Sequence, residues 1–270
     1  MFRTRPQRVL LEHALTRGIT DLDVATTYHD GQAHRMLAHT AGDLLEHFTI
    51  STKVSPRADL APLTEQAKRA VCDLGLPPAV LLVHNPEHVL RGLPTAQAGE
   101  WWATTAEVMA DLVAAGACRA WGIACWDPRP LLGLLDTPAW THAPQPAVAM
   151  VRAGFLVPAD VLAAGDALLD RLQYDGVHRW GMSPFAGAPR LLDGINLTQF
   201  LTDHVPRAAA SPLPTAVAAA FHMPAVSRLA VGTGSPAHLD QLTAATTLPV
   251  DQERVSAYRQ RLTAHASSAR

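Results

Sequence analysis

The stretch Ile19–Gly31, ITDLDVATTYHDG, starts as a short apolar run and continues into a polar loop that ends in glycine. The pattern recurs along the chain, with apolar runs at 48–54, 79–84, 119–124, 147–151, 177–182 and 228–231. Most of these runs are apolar at consecutive positions, which is typical of strands buried on both faces of a sheet. With 19–25 as the first, they predict seven strands.

Helix-like segments lie between the predicted strands, at 7–17, 32–41, 63–74, 107–115, 130–135, 159–172 and 215–221. The first four strands begin about thirty to forty residues apart, which is the length of one strand, one helix and their two loops. This repeat predicts the α/β class and favours a (β/α)8 TIM-type barrel that occupies 1–270 as a single domain. An open flavodoxin-like sheet is the alternative, and no GxGxxG follows the first strand to indicate a dinucleotide-binding sheet.

A complete barrel of this type needs eight strands, and the sequence shows seven. Only six residues precede the first helix-like segment, so the strand that is missing should be the first one. We expect either a barrel that is incomplete at its N-terminus and closed in another way, or a coding start upstream of Met1.

Composition and charge exclude several classes of protein. The formal net charge is -2, and the charged residues are interspersed, so neither nucleic acid nor a membrane surface is expected as a partner. The three cysteines, Cys72, Cys118 and Cys125, suit neither a disulfide framework nor a metal site. With no signal-peptide core and no long apolar segment, we predict a cytoplasmic protein that binds a small molecule. Nothing in the sequence indicates its oligomeric state.

Polar side chains stand where the first three predicted strands end. Asp23 ends the first strand and Tyr28 follows it, Lys53 lies near the end of the second, and His84 ends the third. Each has an ordinary structural interpretation, as a turn cap, a packed ring or a satisfied histidine. Lys53 is the exception, because an ammonium buried in an apolar strand needs an anion. Asp23 on the adjacent strand is the natural partner.

Together these four side chains have a coherent chemistry. A phenol has a pKa near 10, and a neighbouring ammonium lowers that pKa by about one to three units. The Lys53–Asp23 pair would therefore make Tyr28 a general acid, while His84 holds the carbonyl oxygen that receives the proton.

Several segments resemble the aldo/keto reductases, a family of NAD(P)H-dependent (β/α)8 barrels with a catalytic tetrad of Asp, Tyr, Lys and His. GITDLDVATTYHDGQAHRMLA (18–38) is similar to the family pattern Gly-Ile-x-x-x-Asp-x-Ala-x-x-Tyr-Gly-x-Gly-x-x-Glu-x-x-Leu-Gly. TISTKV (49–54) resembles the lysine strand and LLVHNPE (81–87) the histidine strand, and the likeness continues in order to about Ala245. The resemblance implies that Tyr28 protonates a carbonyl oxygen while NADPH delivers hydride to the carbon.

The resemblance also implies a set of cofactor contacts, namely Cys125, Ser183, Gly232, Thr233, Gly234 and His238. Backbone N–H groups of the glycine-rich loop 232–234, at a helix start, would hold a phosphate. No metal is implied.

Departures from the family pattern concentrate on this cofactor side. The family's Ser-Asn pair, which holds the nicotinamide carboxamide, is Ala124–Cys125 here, and neither side chain is a strong hydrogen-bonding group. The family's glutamine falls at Met150, and the aromatic residue that often stacks on the nicotinamide falls near Met182. The lysine and arginine that commonly hold the 2′-phosphate are Gly232 and His238, and the asparagine that contacts the adenine is Leu242.

Three functions remain open at this point. The first is an oxidoreductase that reduces the carbonyl of a small organic substrate with NADPH, with NADH as the alternative cofactor. The second is a cofactor-independent dehydratase, isomerase or cyclase that uses the same proton-transfer residues, and the third is a regulatory subunit that senses a small ligand.

Two tryptophans follow the third predicted strand. Trp101 and Trp102 either wall an apolar substrate pocket or pack inward at the start of the next helix.

Overall fold

The computed structural model describes residues 5–172, 178–203 and 211–268. Its strands form one seven-stranded sheet with the order β1-β2-β3-β4-β5-β6-β7, and the pairs β1–β2, β2–β3, β3–β4 and β6–β7 are parallel. The strands are β1 (Asp21–Asp23), β2 (Thr49–Val54), β3 (Val80–His84), β4 (Ala120–Cys125), β5 (Val148–Arg152), β6 (Arg179–Met182) and β7 (Arg228–Ala230). All seven predicted strands are confirmed, although residue 177, where the sixth was predicted to begin, lies outside the described residues.

Helices separate the strands as predicted. They are α1 (Arg8–Thr16), α2 (Ala33–Ala41), α3 (Leu63–Leu74), α4 (Glu87–Leu90), α5 (Thr95–Ala114), α6 (Arg129–Leu132), α7 (Pro138–Thr141), α8 (Ala159–Arg171), α9 (Pro212–Ala220), α10 (Pro236–Ala245) and α11 (Gln252–Ser268). Short 3-10 helices occupy Gly42–His47, Pro189–Leu192 and Leu197–Phe200. In the described ranges, no helix combines the length and the apolar character that crossing a membrane requires.

Helix α5 begins twelve residues earlier than the predicted segment 107–115, which was wrong at its start. Gly99 breaks the sequence pattern, but it lies inside the helix where α7 packs against it, because an added Cβ would stand 2.9 Å from the Cβ of Ala139. Trp102 packs inward, fully buried and stacked on Trp140 with ring centroids 4.2 Å apart. Its indole is therefore core and does not wall a pocket.

The chain divides into two compact units. The first unit contains residues 1–150 and 232–236, and the second contains 151–231 and 237–270. The prediction of a single domain stays a prediction.

The strand register of the first unit decides which side chains share a face. Asp23 pairs with Ser51, Lys53 with Leu82, and His84 with Ala124. Paired residues of parallel strands point to the same side of the sheet, as do residues two apart on one strand. Asp23, Lys53, His84 and Ala124 therefore share one face, whereas Cys125 points to the other.

The second unit has an aromatic cluster of its own. Phe155, Phe200 and Tyr258 lie with ring centroids 4.8 to 5.4 Å apart. Buried aliphatic residues of α8, α9 and the neighbouring 3-10 helices surround these rings. Burial of this apolar surface is the main stabilising contribution to the unit.

Gly122 in β4 lies where neighbouring strands approach closely. An added Cβ would stand 2.3 Å from the main-chain oxygen of Val148 and 2.8 Å from Cδ2 of Leu82. Backbone on one side cannot move away without disturbing the sheet, so residue 122 must be glycine.

We expect Gly122→Ala to lower the free energy of unfolding by about 2 kcal/mol or more, because the methyl group overpacks the sheet. Urea-induced unfolding followed by circular dichroism measures the change. Gly133→Ala is the matched control, since Gly133 has a φ of -66° and no atom within 4 Å of an added Cβ. Equal stability of the two variants would contradict the packing shown here.

Candidate active site

A buried ion pair lies between β1 and β2. Nζ of Lys53 donates to both carboxylate oxygens of Asp23 at 2.5 Å and to the main-chain oxygen of Val24 at 3.1 Å. The side chain of Lys53 is 1% exposed and that of Asp23 is 11% exposed. Oγ of Ser51 donates to Asp23 at 3.1 Å. The pair expected from the sequence is therefore present, and its hydrogen bonds offset the cost of removing both charges from water.

Tyr28 and His84 lie beside this ion pair. Nζ of Lys53 is 5.5 Å from the centroid of the Tyr28 ring. The ring of His84 meets the Tyr28 ring edge-on, with centroids 6.1 Å apart and planes at 81°. The structure thus brings together all four side chains that the strand ends suggested.

The loop that carries Tyr28 turns sharply. His29, Asp30 and Gly31 have left-handed φ values of 51°, 53° and 80°, a region that His, Asp and Gly tolerate better than most residues. The main-chain oxygen of Tyr28 accepts from the N–H groups of Gly31 at 3.2 Å and Ala33 at 3.3 Å. These bonds hold Tyr28 between β1 and the start of α2.

His84 is uncharged at neutral pH. Burial, followed by the nearby charge of Lys53, lowers the pKa of His84 to about 4. A neutral imidazole has one N–H donor and one acceptor nitrogen. His84 can therefore donate a hydrogen bond to an oxygen without adding a second cation beside Lys53.

Glu87 is a buried carboxyl that sequence reasoning missed. It begins α4, three residues after His84, and is 0% exposed. Oε1 accepts from the main-chain N–H groups of Trp126 at 2.8 Å and Asp127 at 3.3 Å. The other oxygen has no hydrogen-bond partner among the described residues, and burial raises the pKa of Glu87 to about 7. An acid at a helix start is ordinarily exposed, so the sequence carried no signal of this burial.

The two residues at the end of β4 face opposite ways. Ala124 is on the face of His84 and offers no polar atom there. Cys125 is 0% exposed on the other side, and burial, with the charges of Glu87 and Asp127, raises the pKa of its thiol well above the usual value. The thiol of Cys125 is thus enclosed, and the contact of Cys125 with a cofactor stays a prediction.

The glycine-rich loop belongs to the same unit as the tetrad, although it follows β7 in the chain. Gly232 and Gly234 are exposed, and Oγ1 of Thr233 accepts from the N–H of Ser235 at 3.2 Å. Helix α10 begins at Pro236 directly afterwards. Exposed glycine N–H groups before a helix N-terminus suit an anion such as phosphate.

The two other predicted cofactor contacts lie in the second unit. Ser183 directly follows β6 and has a left-handed φ of 56°. His238 is exposed in the first turn of α10. Both stay predictions.

Comparison with known proteins shows the family of this chain. A family model described as "Aldo/keto reductase family" matches residues 4–153. No curated protein sequence matches the chain significantly.

Solved structures share the fold. An aldo-keto reductase from Klebsiella pneumoniae in complex with NADPH is 21% identical, with a TM-score of 0.69 over 95% of this chain and 84% of that one. The holo form of an aldo-keto reductase from Bacillus halodurans is 17% identical, with a TM-score of 0.66 over 94% and 86%. An aldose reductase from Giardia lamblia is 19% identical, with a TM-score of 0.66 over 93% and 86%. The predicted TIM-type fold is thereby confirmed, and the seven strands found among the described residues agree with the expectation of an incomplete barrel.

The buried Glu87 carboxyl makes stability depend on pH. In the native protein it keeps its proton up to about pH 7, whereas its ordinary pKa is 4.5. The protonated Glu87 carboxyl therefore makes its full contribution to the free energy of unfolding below pH 4.5, and this contribution is lost as the pH rises through 7.

Relative to Glu87→Gln, the free energy of unfolding of the wild type should fall by as much as about 3 kcal/mol over this interval. Urea unfolding at a series of pH values measures the difference. Glu107→Gln, at an exposed position of α5, is the control and should follow the wild type. A wild-type profile parallel to that of Glu87→Gln would contradict a buried, protonated Glu87.

Proposed function

Because the chain belongs to the aldo/keto reductase family, we propose that it reduces the carbonyl group of a small organic substrate with NADPH, and that Tyr28 is the general acid. The observation that carries this proposal is the buried Asp23–Lys53 pair, with Tyr28 and His84 directly beside it.

The proton side of the reaction follows from this chain's own residues. When Tyr28 gives its proton to the carbonyl oxygen, the ammonium of Lys53 stabilises the phenolate that remains. Asp23 holds Lys53 in place through two hydrogen bonds of 2.5 Å. The neutral imidazole of His84 donates to the same carbonyl oxygen and polarises it before the proton arrives.

The cofactor side uses main-chain groups more than side chains. The similar Klebsiella pneumoniae structure contains NADPH, which supports NADPH as the cofactor here; bound NADPH would supply the hydride for the carbonyl carbon. Gly232 and Gly234 are exposed residues before α10, and main-chain N–H groups in such a place suit phosphates. At the nicotinamide end, Ala124 gives the carboxamide no side-chain partner, so we expect weaker binding than a polar residue would provide.

A second candidate function is an acid/base reaction without hydride, such as dehydration, isomerisation or cyclisation. The apolar Ala124 favours it, because its side chain offers a nicotinamide no hydrogen bond. Tyr28, Lys53 and His84 also need no nicotinamide to transfer a proton. Calorimetric titration with NADPH and NADH separates the two, since only the reductase requires either cofactor.

We also propose a cytoplasmic location. The cysteines are free thiols, with Cys72 exposed and Cys118 and Cys125 buried. Exposed thiols persist in reducing compartments.

Tyr28→Phe tests the general acid. We expect the rate of NADPH oxidation with a panel of aldehydes and ketones to fall by about 10²- to 10⁴-fold, because the proton donor is removed. The affinity for NADPH, measured by calorimetry, should stay unchanged because Tyr28 acts on the substrate. Unchanged turnover would remove Tyr28 as the acid. Absence of binding at millimolar NADPH and NADH would sink the reductase proposal and favour the acid/base enzyme.

Ala124→Ser tests the nicotinamide end. A hydroxyl on the face of His84 adds one hydrogen bond to the carboxamide, so the Kd for NADPH should fall about 2- to 10-fold. Cys125→Ser is the matched control, since it exchanges a thiol for a hydroxyl at a buried position on the opposite face and should leave the Kd unchanged. Equal tightening by both variants, or by neither, would contradict this arrangement.

A further inference from the structure

Gln66 is a buried amide that joins the two loops of the proton-transfer site. It lies in the first turns of α3 and is 8% exposed. Its Oε1 accepts from Oγ1 of Thr26 at 3.1 Å and from the N–H of Ser55 at 2.9 Å. Its Nε2 donates to the main-chain oxygens of Ser55 at 2.8 Å and Ala61 at 2.6 Å. Every hydrogen-bonding position of the amide is therefore used.

The partners of Gln66 stand next to the proposed acid and its cation. Thr26 comes two residues before Tyr28, and Ser55 comes two residues after Lys53. The N–H of Thr26 also donates to the main-chain oxygen of Lys53 at 3.1 Å. The amide thus connects the segment that carries Tyr28 to the end of the strand that carries Lys53.

We propose that Gln66 is a positioning residue that sets the placement of Tyr28 relative to the ammonium of Lys53. The inference rests on the proposed role of Tyr28 as the acid. The influence of a charge on a neighbouring phenol falls with distance. If the Thr26–Tyr28 segment moves away from Lys53, the ammonium therefore stabilises the phenolate of Tyr28 less. Glutamine suits the position because two main-chain acceptors need its two N–H donors, while Thr26 and Ser55 need its oxygen.

A merely structural clamp would lower stability and leave the acid unaltered, so the test measures Tyr28 directly. The chain has three tyrosines, and labelling tyrosine with ¹³C at Cζ gives one resonance for each, with Tyr28→Phe assigning that of Tyr28. The midpoint of the Tyr28 titration is read from its chemical shift. This reading needs no substrate and no cofactor, so it stays valid if the protein proves not to be a reductase.

Gln66→Met removes all four hydrogen bonds without adding a charge. We expect the midpoint of the Tyr28 titration to rise by about half a pH unit or more, because the phenolate loses part of its stabilisation by Lys53. If the protein reduces carbonyls, kcat should fall about tenfold or more with little change in KM. Gln145→Met is the matched control, since the Gln145 amide also donates to two main-chain oxygens but lies on the loop before β5.

Thr26→Val breaks only the link to the Tyr28 segment and is the decisive variant if Gln66→Met does not fold. It should raise the Tyr28 midpoint, whereas Thr26→Ser, which keeps the hydroxyl, should restore the wild-type value. A Tyr28 midpoint that stays at the wild-type value in folded Thr26→Val would overturn the proposal, as would an equal shift in Gln145→Met. If the wild type reduces no carbonyl compound, the proposed function is contradicted, while the titration result for Tyr28 stays valid.

Discussion

A lysine in the middle of a buried sheet must have an anion beside it, and the salt bridge between Lys53 and Asp23 meets this requirement. An unpaired ammonium at this depth would cost several kcal/mol. The register of β1 on β2 places Asp23 opposite Ser51, so that Lys53, two residues further on, reaches back to both carboxylate oxygens. The proposed roles of Tyr28 and His84 depend on this pair, because a cation fixed beside a phenol lowers the pKa of the phenol and makes it a better proton donor near neutral pH.

The two ends of the proposed reaction are constructed differently. The proposed proton end consists of side chains from three neighbouring strands and from the loop after β1, all in one unit. Gln66 and Glu87 each join strand-end loops of that unit by hydrogen bonds. The proposed cofactor end would use main-chain groups of a glycine-rich loop, and it has an alanine where the family usually has a polar residue. In this proposal the proton transfer and the binding of the nicotinamide depend on different residues, and the departures from the family pattern concentrate on the cofactor side. For this reason the reductase and the acid/base enzyme are both candidate functions.

Much of the fold could be predicted, and the reasons for the errors are local. Buried strands are runs of consecutive apolar residues, and all seven were recognisable. Helix α5 began earlier than expected, and it includes Gly99, a residue that weakens a helix in isolation. Ala139 packs so close to Gly99 that a larger residue would not fit there. Only the start of helix α10, after the glycine-rich loop, was expected, and helix α11 was missed. Few residues of either helix are buried, so both lack the apolar stripe on which a helix prediction depends.

The sequence by itself determined the strand–helix repeat, the four candidate residues at the strand ends and the need of Lys53 for an anion, because these depend on residue type and on order along the chain. Only the tertiary structure decided that Glu87 is enclosed, that Cys125 turns away from the site while Ala124 faces it, and that Gln66 joins two loops. Those outcomes depend on hydrogen bonds between residues far apart in sequence and on the register of adjacent strands. A shift of one residue in that register would have moved every side chain to the opposite face.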